Sequence, residues 1–131
     1  MMTHRKNISS GAPWEDLVGY SRAVKLGHTI EVSGTVAVKD GYVVGKGDAY
    51  LQTQCALEII KEVLIKAGAS LEDVVRTRIY VTDISQWESI GKAHGEVFAH
   101  IKPATTMVEV SRLIDPEYLV EIEATAIIAS L

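Results

Sequence analysis

The chain has 131 residues, 47% of them hydrophobic, which suits one compact core and leaves no room for a second. Its 17 Asp and Glu outnumber 13 Lys and Arg, giving a net charge of −4, and the basic residues are scattered rather than gathered into the stripe that phosphate contacts need. Nucleic acid is thus a poor candidate partner; with no apolar run near the roughly 18 to 20 residues of a membrane helix and no signal-peptide core in MMTHRKNISSGAPWEDLVGY, a cytoplasmic protein without a membrane partner is expected.

From Tyr20 to Gly47 the pattern alternates in strand fashion, Ile30 and Val32 against Thr29 and Glu31, and predicts two or three strands. Asp40-Gly41, between VAVK and YVVG, is a hairpin-turn signal because a primed turn demands positive φ. At Asp48 the period changes to that of a helix. Ala56, Ile60, Val63, Leu64 and Ala67 form one apolar stripe, Glu58, Lys61, Glu62 and Lys66 lie off it, and Gly68 is the expected cap.

Val74 to Thr82 returns to period two, with Val75, Thr77, Ile79 and Val81 set against Arg76, Arg78 and Tyr80. Ser85 followed by Glu88 reads as a capping box. A second amphipathic helix then carries Trp87, Ile90, Gly91, His94, Val97, Phe98 and Ile101 and ends before Pro103. Two closing strands are expected at about residues 105–111 and 119–129, joined through Asp115-Pro116. The order predicts a single α+β domain over residues 1–131, with a mixed sheet and both helices on one face. Paired apolar residues such as Val43-Val44, Val74-Val75 and Ile127-Ile128 predict an apolar patch on the open face, and self-association to cover it.

Few residues announce chemistry by spacing. Cys55 is the only cysteine, so it can form no internal disulfide, and a helical apolar pattern around it favours core packing. His4, His28, His94 and His100 show no HxH or HExxH arrangement, so no metal site is expected. Ser33 has no triad spacing, and Gly41, Gly45 and Gly47 are turn residues rather than a dinucleotide loop. Glu121 and Glu123 share a strand face, where pairing with Arg76, Arg78 or Arg112 competes with a catalytic role.

Three segments together carry a family resemblance: GYSRAV (residues 19–24) with VSG (32–34), KAGASLEDVVRTRIYVTD (66–83), and PATTMVEV (103–110) with VEIEATA (120–126). They resemble the Rid proteins, also called YjgF-type or L-PSP endoribonuclease-like proteins, over nearly the whole chain. The resemblance implies a chorismate-mutase-like α+β subunit, a homotrimer, and three small-molecule pockets between subunits. In the deaminating branch it implies hydrolysis of a 2-enamine or 2-imine to a 2-keto acid and ammonia, with no metal or organic cofactor.

In that branch an arginine after the Pro-Ala dipeptide clamps the substrate carboxylate through its planar fork; here the position is Thr105. Losing that charge-assisted contact would cost about 1.5 to 3 kcal/mol, so simple 2-imino acids should be poor substrates. The resemblance places Met107 where the family has a pocket cysteine, Gly91 where it has an asparagine, and His94 where it has a tyrosine. It also implies Glu121 as the carboxylate that orients water, with Tyr20, Ser33, Gly34 and Phe98 as further pocket residues. A non-catalytic metabolite-binding or regulatory protein is the competing reading. The endoribonuclease or translation-inhibitor role is disfavoured by the acidic balance.

Overall fold

A computed structural model describes residues 4–129. Eight strands and three helices follow in the order β1 (Arg5–Ile8), α1 (Pro13–Val18), β2 (Ala23–Leu26), β3 (Thr29–Thr35), β4 (Val38–Lys39), β5 (Tyr42–Val43), α2 (Ala49–Lys66), β6 (Val74–Val81), α3 (Trp87–Phe98), β7 (Ala104–Glu109) and β8 (Val120–Ile127). Six strands form one sheet in the order β1-β2-β3-β8-β6-β7, and β4 and β5 form a separate hairpin. Only β6 and β7 pair in parallel; the remaining pairs in the large sheet are antiparallel, so the sheet is mixed as expected.

The β4–β5 turn carries φ of 53° at Asp40 and 81° at Gly41, the two positive values that an Asp-Gly primed turn demands. Helix α2 starts on Asp48, whose carboxylate accepts from Leu51 N, and stops at Gly68 with φ of 87°. Its predicted stripe is buried and, together with Leu57, covers one face of the sheet. Ile30, Val32, Ile79, Val81, Ile122, Ala124 and Ala126 oppose it from β3, β6 and β8. Helix α3 packs beside α2 through Ile90 and Ala93, so both long helices lie on that face.

Some expectations fail for local reasons. Strand β1 and helix α1 escaped the pattern reading because β1 is an edge strand with only Ile8 buried, and α1 is a short helix with only Glu15 buried. Val75 does not join Thr77 and Ile79: a bulge between Val74 and Arg76 inserts it as an extra residue, so Val74 is buried and Val75 is 43% exposed. The Ser85–Glu88 box does not form either, because Asp83 takes the preceding turn by accepting from Ser85 N, and α3 begins at Trp87 with Gln86 as an N-cap that makes no side-chain hydrogen bond.

The open face is polar instead of apolar. Tyr80 donates to Glu123 at 2.7 Å, Arg78 stands 3.8 Å from the same carboxylate, Arg76 donates to Thr106 at 2.8 Å, and Thr125 donates to Glu31 at 2.6 Å. Apolar exposure is left to edge and end positions such as Val108 and Ile127, at 42% and 45%. The doubled apolar residues did not build a patch because bulges, strand ends and turns absorbed them.

Candidate functional site

A cleft of about 690 Å³ opens at the ends of β3 and β8, between the N-terminal arm, the β4–β5 hairpin and the β7–β8 loop, with Ile59 of α2 in its wall. Its arm wall runs from Ser10 to Trp14 and is held by Glu15, which is only 4% exposed. Ser9 donates to the Glu15 carboxylate at 2.9 Å, and Ser10 donates through both its amide and its hydroxyl. Burial alone would push this carboxyl up; the Ser10 and Ser9 hydrogen bonds outweigh it and hold Glu15 below the usual carboxylate range.

The opposite wall is fixed by a buried amide. Gln52 on α2 donates to the carbonyls of Gly45 (3.1 Å) and Glu117 (2.9 Å) and accepts from Leu119 N (2.9 Å). That ties down the loop bearing Ile114 and Tyr118, which line the cleft. Neither Glu15 nor Gln52 was singled out from the sequence. Lone polar residues inside apolar patterns carry no spacing that marks them as anchors.

At the cleft floor, the β3–β8 ladder shifts register between Val32 and Thr35, and this irregular stretch brings Gly34 beneath Glu121. A Cβ on Gly34 would sit 2.9 Å from the Glu121 carboxyl carbon, so any side chain there would displace the carboxylate from its present place. Glu121 lies opposite Tyr80 on β6 and points to the open face. Burial pushes its carboxyl above the usual range; Arg22 partly opposes that shift and Glu123 adds to it. Among the described residues, Glu123 has Tyr80 and Arg78 as partners, whereas Glu121 has no hydrogen bond or ion pair.

Arg22 is the cation of this cleft. Its Nη2 donates to the Gly34 carbonyl, its guanidinium carbon stands 5.9 Å from the centre of the Tyr20 ring, and its Nε is buried without a partner. It flanks the GYSRAV segment's tyrosine but was not picked out by sequence reasoning, because a single arginine before a strand ordinarily signals solvent exposure.

Three of the residues expected to form a site therefore meet in one chain: Tyr20, Gly34 and Glu121. Ser33 does not line the cleft; its hydroxyl donates to the Ser21 carbonyl at 2.7 Å. The other five lie across the sheet. Thr105 is the register partner of Thr77 and Met107 of Ile79, on residues that face the helices, while Glu121 pairs with Tyr80, which faces away. Strand alternation thus prevents one chain from bringing Thr105 to Glu121.

On that far side, Thr77 Oγ1 lies 2.9 Å from His94 Nε2 and 2.8 Å from Thr105 Oγ1, and Thr105 stands 3.3 Å from the Pro103 carbonyl. Thr77 has one hydroxyl proton. If Thr105 donates to Pro103, Thr77 donates to Thr105, and His94 closes the chain by donating from Nε2. Burial pushes the His94 pKa down and favours this neutral ring. Phe98 stacks on His94 with centroids 4.7 Å apart and is 2% exposed, so it is a core residue rather than a site wall. Gly91 and Met107 are half-buried beside this cluster's elements.

Comparison with known proteins gives a consistent result. The family model described as Endoribonuclease L-PSP matches residues 12–128. The 3-aminoacrylate deaminase RutC of Acinetobacter baylyi is 36% identical over 120 residues, covering 91% of this chain and 94% of that one. A Mycobacterium tuberculosis structure, Rv2704 of the YjgF/YER057c/UK114 family, is 50% identical with a TM-score of 0.87 and covers 95% of this chain and all of that one. Escherichia coli TdcF, solved with bound serine, is 25% identical with a TM-score of 0.79, covering 94% of each chain.

Proposed function

The chain belongs to the Endoribonuclease L-PSP family, the YjgF or Rid proteins, and from that premise we propose that it hydrolyses a small imine or enamine in the cleft floored by Gly34 and Glu121. The observation that carries the reading is Glu121: a carboxylate half withdrawn from water, raised in pKa and without a protein partner among the described residues, set against a glycine in a concave site. Such a group can hold a water and take its proton as the oxygen attacks carbon. The C–O bond forms as the C=N π pair moves to nitrogen, and Glu121 returns the proton to that nitrogen to give a carbinolamine; the hydroxyl proton then passes to nitrogen by the same carboxylate, the C–N bond breaks with its pair on nitrogen as C=O forms, and ammonia leaves behind a carbonyl compound. An enamine enters the same sequence once its carbon is protonated.

A second copy of the chain completes the site in this reading. Thr105, His94 and Met107 lie on the other side of the sheet from Glu121, so their entry into one pocket requires a neighbouring subunit. A homotrimer with clefts between subunits meets that requirement. The similarity to a 3-aminoacrylate deaminase supports the reaction class. Serine binding in a structural relative supports an amino-acid-sized ligand.

The test is a coupled assay of ammonia or keto-acid release from 2-iminopropionate and 3-aminoacrylate generated in place, with native protein, Glu121→Gln and Thr105→Arg. Native turnover that falls about 100-fold or more in Glu121→Gln is the expected result. Turnover unchanged in that variant removes Glu121 from the mechanism. Specific ligand binding with no turnover in native protein or in Thr105→Arg favours a metabolite-binding role.

A further inference from the structure

The cleft around Glu121 is lined by one cation, Arg22, and two carboxylates, Glu121 on its floor and Asp40 on the β4–β5 turn, and Arg22 and Glu121 do not close on each other. Arg22 and Glu121 both line it, yet among the described residues no ion pair joins them. Arg22 gives Nη2 to the Gly34 carbonyl and, among the described residues, makes no hydrogen bond through Nη1, while none ends on the Glu121 carboxylate. Around them stand Trp14, Val18, Ile114 and Tyr118, an apolar mouth that is open to water, with Trp14, Val18 and Ile114 being 60%, 73% and 88% exposed.

We propose that this pair selects a small ligand carrying both a carboxylate and an amine or imine nitrogen, with Arg22 taking the carboxylate and Glu121 facing the nitrogen. The planar guanidinium fork suits a carboxylate, and a cation or N–H donor suits Glu121. The carboxylate-binding charge then comes from Arg22, the residue just before β2, instead of position 105, and Thr105 is released from that duty. The assignment deepens the deaminase reading by naming the residue that takes the ligand's carboxylate in place of an arginine at position 105, and it rests on that reading only for the identity of the cleft, not for turnover.

Binding of three probes to the full chain separates the charges: serine with both groups, serinamide with the ammonium alone, and lactate with the carboxylate alone, each followed by calorimetry or NMR shifts. Arg22→Gln should weaken serine and lactate about 10- to 100-fold and leave serinamide within about twofold. Arg22→Lys, which keeps the charge without the fork, should recover part of the serine affinity. Glu121→Gln should weaken serinamide and tighten lactate.

Because Arg22 also holds the Gly34 carbonyl, melting curves accompany each variant, and the Glu121→Gln arm stands even if Arg22→Gln folds poorly. Equal weakening of serine and serinamide in Arg22→Gln makes Arg22 a structural residue and overturns the proposal. So does native protein that binds serinamide as well as serine. Carboxylate preference that depends on Arg22 in a protein showing no imine hydrolysis upholds this assignment while removing the deaminase reading.

Discussion

The Glu121 cleft and the Thr77 cluster lie on opposite faces of the same sheet, and both remove polar groups partly from water. They differ in whether the fold completes them. Thr77 connects His94, Thr105 and the Pro103 carbonyl in a chain of neutral hydrogen bonds that accounts for each proton. Glu121 and Arg22 keep unlike charges in one cleft with unused capacity. Polar groups satisfied at home contribute to stability; polar groups left open on a concave surface cost stability and are available to a ligand.

The sharpest break comes from Gly34→Val. Its side chain would enter the space of the Glu121 carboxyl, so hydrolysis should fall by about two orders of magnitude or more, the worth of a displaced general base. The clash is with the flexible end of a side chain, so circular dichroism should still show a folded protein. Activity close to native would show that the carboxylate needs no glycine beneath it.

Next in size is Thr77→Val, aimed at the other face. It removes the buried hydroxyl that bonds half-buried His94 and exposed Thr105, and losing those two hydrogen bonds should cost about 1 kcal/mol or somewhat more in denaturant unfolding. If the two regions differ as described, Glu121→Gln should do the reverse. Its carboxyl has a raised pKa in the folded state, so between the ordinary carboxylate pKa and that raised value the native state holds more protons than the unfolded one. Stability from this group therefore falls as pH rises. Glu121→Gln should melt higher than native protein near pH 7.5, and the difference should close at about pH 4.

His94 supplies the smallest effect, with opposite sign. Burial lowers its folded pKa, so below about pH 6.5 the unfolded chain gains protons that the native state refuses, and stability falls as pH drops. His94→Gln should flatten the melting temperature between about pH 6.5 and 5. An unaltered slope would assign the loss to other groups.

The sheet and both long helices were legible because their burial repeats with a clear period: Ile30 and Val32 on β3, and Ala56, Ile60, Val63 and Leu64 on α2. Helix α1 and strand β1 were not, since the short N-terminal elements bury one residue each, Glu15 and Ile8. Thr105, the residue that drew most weight in the sequence, turned out to be engaged with Thr77, and Arg22, which drew none, lines the cleft beside Glu121.

Sequence by itself determined the order of elements from β2 onward, the Asp40-Gly41 turn, the stop at Gly68 and the family, because these depend on local φ/ψ preference, periodicity and contiguous motifs. Tertiary structure decided which carboxylate is paired and which is open. Glu121 and Glu123 occupy the same strand face two residues apart, but Glu123 lies beside Tyr80 and Arg78 while Glu121 lies over Gly34 near Arg22. That distinction comes from strand order and from the register shift between Val32 and Thr35, which bring together residues nearly a hundred positions apart and leave no periodic trace in the chain.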